Sequence, residues 1–122
     1  MDIKFVIPGR LDGLNEYTKA NRANAYGGNN IKQRNEKAVK FAIRQAKLNK
    51  VVKYPIQLKI TWYEKNKRRD IDNIIFATKF ILDALVKSNI LENDSQKYVN
   101  GITHEVSVDK QNPRIEVEII EP

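Results

Sequence analysis

Apolar positions recur along this chain with two different periods, and each change of period marks an element. Residues 2–7, DIKFVI, alternate polar and apolar and predict a strand. Pro8, Gly9 and Gly13 break it. Residues 8–30 then carry turn chemistry with little to bury, namely Asn15, Asn21, Asn24, Asn29, Asn30 and the pair Gly27-Gly28, so an irregular loop is expected. From Ile31 to about Leu48 the spacing turns helical. Ala38, Phe41, Ala42, Ala46 and Leu48 give a modest apolar face, while Lys32, Arg34, Lys37, Lys40, Arg44 and Lys47 crowd the rest.

A second strand follows Pro55, with Ile56, Leu58, Ile60 and Trp62 on one face at strict period two. A long helix is expected from about Asp70 to Ser88. At 3.6 residues per turn, Ile71, Ile74, Ile75, Thr78, Ile81, Leu82 and Leu85 share one apolar face, and Asp72, Phe76, Lys79, Asp83 and Val86 form another stripe. Residues 96–108 and 113–119 give two more strands, the last with Ile115, Val117 and Ile119 alternating with Glu116 and Glu118. The order strand, loop, helix, strand, helix, strand, strand predicts a single α+β domain over residues 1–122. Its two main helices would lie on a small mixed or mostly antiparallel sheet.

Composition narrows the chemistry. Among 122 residues there is no Cys, which excludes disulfides, thiolate zinc sites and a thiol nucleophile. The single His104 leaves no second imidazole for a His-pair metal motif, and in a strand it reads as a surface or strand-pairing residue. No apolar run nears the ~20 residues a membrane span needs, and the N-terminus lacks a signal-peptide pattern. A soluble, cytoplasmic protein without a membrane partner is expected. Chemistry, if present, must run on carboxylates, amines and hydroxyls.

The net charge of +7 is unevenly spread. Residues 15–69 hold 15 basic and three acidic side chains, whereas residues 70–122 hold five basic and ten acidic. The first half reads as a surface for polyanions, which bind by releasing condensed counterions; a solvated Lys-rich face is the plainer alternative. Tyr17, Lys19, Arg22 and Tyr26 suit contact with phosphates and unstacked bases, though an ordinary surface loop explains them as well. The run Lys65-Asn66-Lys67-Arg68-Arg69 abuts Asp70-Ile71-Asp72-Asn73, a cluster of cations against a cluster of carboxylates.

Acidic residues in a first helical turn are also favoured by capping and the helix dipole. The loop Glu92-Asn93-Asp94-Ser95 adds a third carboxylate, which the short return after the helix can carry toward Asp70 and Asp72. Without His or Cys, three aspartates are hard oxygen ligands suited to Mg²⁺ or Mn²⁺. Such an ion polarises a phosphodiester, and a nearby Lys stabilises charge at phosphorus or protonates the leaving oxygen. The residues therefore point to metal-dependent phosphodiester hydrolysis.

RRDIDN, then Lys79-Phe80-Ile81-Leu82-Asp83-Ala84-Leu85, then an acidic loop ending in Asp94, resembles the RusA-type Holliday-junction resolvases. The opening strand ending in Pro8 and the Asn15 after it extend the similarity. The resemblance implies a small homodimeric endonuclease, largely of phages and prophages, that nicks opposed strands of a four-way DNA junction in recombination or repair. It implies a catalytic set of Asp70, Asp72, Asp94 and Lys79, with Mg²⁺ (Mn²⁺ substituting) on the three aspartates and no organic cofactor. Lys19, Arg22, Lys32, Arg34, Lys65, Lys67, Arg68 and Arg69 are then candidates for the DNA face. The stretch between Asn73 and Lys79 is three residues longer than in the best-known members, which moves the amine by nearly one helical turn. Asn93 stands where an acidic residue is common. The alternatives are a junction-binding protein without catalysis, an unrelated basic module for structured nucleic acid, and an Mg²⁺ nuclease acting on flaps or single strands.

Overall fold

In a computed structural model describing residues 3–122, the chain runs β1 (Ile3–Pro8), α1 (Leu14–Ala23), α2 (Gly27–Ala46), β2 (Ile56–Glu64), α3 (Ile71–Ile75), α4 (Thr78–Lys87), β3 (Val99–Val108) and β4 (Arg114–Ile120). Asp2, the expected start of the first strand, lies outside the described residues. The four strands form one mixed sheet in the order β1-β4-β2-β3. β4 pairs antiparallel with both β1 and β2, while β2 and β3 are parallel. A parallel pair needs a crossover, and α3 and α4 supply it. The expected α+β class with a mixed sheet is the observed one.

Strand alternation fixes which face meets the helices. Ile56, Leu58, Ile60 and Trp62 of β2 and Ile115, Val117 and Ile119 of β4 are buried together with Phe5 and Ile7 of β1. Against them pack Val39, Ala42 and Ile43 of α2 and Phe80, Ile81, Ala84 and Leu85 of α4. Trp62 is core, as its place at period two predicts. The other face of the sheet is open and carries Lys4, Val6, Lys59, Thr61, Tyr63, Glu105, Ser107, Glu116 and Glu118. There Lys4 lies 3.8 Å from Glu118, and the Arg114 guanidinium sits 3.9 Å over the Tyr63 ring.

Three helical expectations need correction. Residues 8–30 are not an irregular loop, because they contain α1 and the first turn of α2. Gly27 and Gly28 act there as packing residues: a β-carbon on Gly27 would meet the Ala20 carbonyl oxygen at 1.9 Å, and one on Gly28 the Asn21 Oδ1 at 2.3 Å. Their missing side chains let the two helices cross closely. Second, the buried face of α2 is Ile31, Asn35, Val39, Ala42 and Ile43, whereas Ala38, Phe41 and Ala46 face outward. Third, the long helix expected over residues 70–88 is interrupted at Phe76 and Ala77. Short i→i+3 bonds there, from Ala77 N–H to Ile74, Lys79 N–H to Phe76 and Phe80 N–H to Ala77, tighten the turn. The change of phase buries Phe80 and Ala84 and leaves Ile71 exposed.

The end of α4 is sharply defined. Asn89 adopts the left-handed conformation at φ 60°. Its N–H bonds the Val86 carbonyl at 3.0 Å, and the Ile90 N–H bonds that of Leu85 at 3.0 Å. This Schellman closure, with Ile90 and Leu85 both buried, turns the chain into the 92–95 loop.

Candidate active site

Asp70 and Asp72 sit at the head of α3, just beyond the C-terminal end of β2, and both are exposed. Asp70 precedes the first helical residue with extended backbone, and its carbonyl accepts the Ile74 N–H at 3.1 Å. Their position is fixed by the residue before them. Arg69 donates from Nε and Nη2 to the two oxygens of Glu64 at 2.9 and 2.8 Å and from Nη1 to the Leu11 carbonyl at 3.1 Å. Glu64 ends β2 and is buried, so this fork ties the strand to the segment that presents the aspartates.

Asn73 holds the same segment from the other side. Its buried Oδ1 accepts the Asn15 backbone N–H at 2.8 Å, which docks the start of α1 on α3. A β-carbon on Gly13 would lie 2.5 Å from that oxygen, so the contact requires glycine there. Asn15 and Asn73, both part of the motif, act here to position α3.

Asp94 lies elsewhere. Its N–H and that of Ser95 bond the Asn93 Oδ1 at 2.7 and 3.1 Å, and the Ser95 carbonyl accepts the Tyr98 and Val99 amides. Val99 opens β3 opposite Ile56, the first residue of β2. The two parts of the expected trio are therefore at opposite ends of β2, a nine-residue strand spanning roughly 26 Å. Among the described residues, no group of three His, Cys, Asp or Glu side chains is gathered to hold a metal ion. Within one copy, folding brings Asp70 and Asp72 to the same short segment but does not add Asp94.

Lys79 is the second residue of α4, past the interruption at Phe76 and Ala77. Its ammonium is 4.0 Å from Asp83 Oδ2, to which Lys32 also comes within 3.6 Å. Lys32 in turn lies 3.8 Å from Glu36, and Lys87 donates to Glu36 at 2.6 Å. The hydrogen bond to Glu36 raises the Lys87 pKa above its ordinary value. Lys79 and Lys32 thus belong to a charged seam between α2 and α4.

The model of the endodeoxyribonuclease RusA family matches residues 5–120, nearly the whole chain. This chain belongs to the RusA family. No curated relative matches it. Membership places it among the Holliday-junction resolvase endonucleases.

As a RusA-family surface, the basic half divides into free and committed cations. Lys65, Lys67 and Arg68 are exposed in the connection that leads to Asp70, and Lys19 and Arg22 are exposed on α1. Among the described residues none of these five is in an ion pair within 4.0 Å. Arg69, by contrast, is turned inward onto Glu64. Arg34 binds Asp12 at 2.8 Å, and Asp12 is also held by Asn35 at 2.7 Å. Burial opposes the charge on Asp12, but Asn35 and Arg34 outweigh it and hold the carboxyl below its ordinary pKa. Tyr17 packs on Phe76 at 5.2 Å between ring centres and is not a free stacking platform. The outer face of α2, with Lys37, Lys40 and Arg44 around exposed Phe41, lines a cleft against Ile7 and Pro8. A helical wheel phased on Ile31, Val39 and Ile43 exposes this basic face; the phase chosen from Ala38 and Phe41 hides it.

Proposed function

We propose that the protein is a Mg²⁺-dependent endonuclease, with Mn²⁺ able to substitute, that resolves four-way DNA junctions in recombination or repair. It acts as a homodimer that nicks opposed strands, and it is phage or prophage encoded. The observation that carries this reading is the adjacency of exposed Asp70 and Asp72 to the exposed cations Lys65, Lys67 and Arg68, in a chain matched by the RusA family over residues 5–120.

The donor set fits a hard divalent cation: carboxylate oxygens only, exposed, without imidazole or thiolate. Asp70 and Asp72 would hold it, and Asp94 of a second copy would complete the set, since Asp94 of the same copy is at the other end of β2. Bound there, the cation supplies charge that polarises the phosphodiester and favours attack by water. Lys65, Lys67 and Arg68 grip the flanking phosphates and offset their repulsion by the carboxylates. Lys79, whose partner Asp83 is shared with Lys32, is free to exchange that contact for the scissile phosphate and stabilise its developing charge. A two-fold dimer then presents one site to each of two symmetry-related strands of the junction.

Binding without cleavage is the second reading, favoured by the separation of the trio within one copy and by the Lys79–Asp83 contact. Junction cleavage with Mg²⁺ titrated, at matched binding, separates the two. Wild type cuts, and Asp70→Asn, Asp72→Asn and Asp94→Asn each lose at least about 10²-fold in rate while binding as well or better. Mixing the Asp70→Asn/Asp72→Asn double variant with Asp94→Asn restores single nicks if the set is completed between copies. Binding with no cleavage by wild type in either metal overturns the enzyme.

A further inference from the structure

We propose that the outer face of α2 binds a single-stranded stretch of nucleic acid, with Phe41 as the platform on which one base stacks and Lys37, Lys40 and Arg44 holding the phosphates beside it. The inference stands apart from the nuclease reading, because it uses none of the residues assigned to that chemistry.

Helical geometry makes the cluster. Lys37, Phe41 and Arg44 follow one another at spacings of four and three, so they form one stripe that rises about 10.5 Å, and Lys40 flanks it. With Ile7 and Pro8 of β1 they line a cleft. Phe41 is 59% exposed, and among the described residues neither another ring nor a cation is stacked on it. Tyr17 and Tyr63, by contrast, are already covered by Phe76 and Arg114. A lone exposed apolar side chain is ordinary. This one stands among three cations, none of which is in an ion pair within 4.0 Å among the described residues.

Charge selects the occupant. The chain has no Asp or Glu between Glu36 and Glu64, and Glu36 is buried with its charge met by Lys87 and Lys32. Two further clefts carry the basic surface on from Lys40 to Lys47 and Lys87. The whole face therefore attracts a polyanion. The aromatic ring asks for more than phosphate. A duplex keeps its bases stacked inside, whereas a single strand turns a base onto the ring while its backbone follows the cations. The cleft walls Ile7, Pro8 and Ala38 are apolar, which suits a base and offers nothing to a phosphate. The site is also separate from the Asp70–Asp72 segment: Pro8 belongs to β1, which β4 separates from β2.

Fluorescence polarisation with a labelled oligothymidylate tests the site without reading cleavage. Wild type is expected to bind, Phe41→Leu to weaken binding by about tenfold, and Phe41→Trp to restore it. Lys37→Ala and Arg44→Ala should each lower the slope of log affinity against log salt by about 0.7. Phe41, Lys37 and Arg44 are exposed, so these variants should melt as wild type does. With 5-iodouracil in place of one thymine, the photo-cross-link should fall on the peptide that contains Phe41. No binding by wild type, an affinity that Phe41→Leu leaves unchanged, or cross-links confined to residues outside α2 overturns the site. So does Phe41-dependent binding to anionic lipid vesicles with none to oligothymidylate. A Phe41-dependent binder inert on junctions overturns the nuclease reading alone, and a junction cutter whose oligothymidylate affinity ignores Phe41 overturns this site alone.

Discussion

Neighbouring residues of one basic run have different fates, and that sets what their substitution does. Arg69 neutralises buried Glu64 with a two-pronged contact, whereas Lys67 points to solvent. Arg69→Ala strands a buried carboxylate and should lower stability by about 3 kcal/mol in urea unfolding. Lys67→Ala should leave unfolding unchanged and reduce the slope of log affinity against log salt for junction DNA by roughly 0.9 if it contacts one phosphate. Sequence spacing marked the whole run and could not separate its members, because the partner Glu64 is legible only as a strand residue. His104 gives a second prediction at this scale. Its Nδ1 accepts the Trp62 Nε1–H at 3.1 Å, and burial pushes its pKa below the ordinary 6.5. The native state therefore resists protonation that the unfolded chain accepts. The contribution of neutral His104 is complete above pH 6.5 and declines as pH falls below it through the native pKa. Thermal melts of wild type should lose stability over that range, and His104→Asn should flatten the dependence.

Elements were readable where one period held for the whole element. β2 and β4 alternate strictly, and their buried residues are those the alternation names. The helices were harder for identifiable reasons. Gly27-Gly28 has the composition of a turn, and only the presence of α1 across from it makes it a helix crossing. The α3–α4 segment changes phase at Phe76 and Ala77, so a single wheel misplaces Ile71 and Phe80 on opposite sides of the truth. Gly27→Ala tests the crossing. Its added methyl has no room beside Ala20, and a loss of about 1–3 kcal/mol is expected in thermal or chemical unfolding. An alanine acting only through helix propensity would stabilise instead.

For the whole molecule, the α+β class was legible from element order. The spatial relation of the three aspartates was not, because it depends on β2 and β3 being parallel, and strand direction leaves no mark in a local pattern. That relation has a kinetic consequence. If Asp94 serves the other copy, cleavage per protein molecule should fall steeply on dilution below the dimer dissociation constant, while a site complete in each copy would hold its rate. Stopped-time cleavage assays over a protein dilution series, at saturating Mg²⁺, measure this.

The underside of the sheet settles how a polyanion can approach. Glu105, Glu116 and Glu118 stand there with Lys4, Lys59 and Arg114, and of these cations Lys4 and Arg114 are already engaged by Glu118 and Glu116. A duplex arm laid across those strands would find three carboxylates and, of the three cations there, Lys59 alone outside an ion pair. That face therefore offers a polyanion little net attraction, and the uncommitted cations of α1 and of the 65–68 run are expected to carry the branches of a junction.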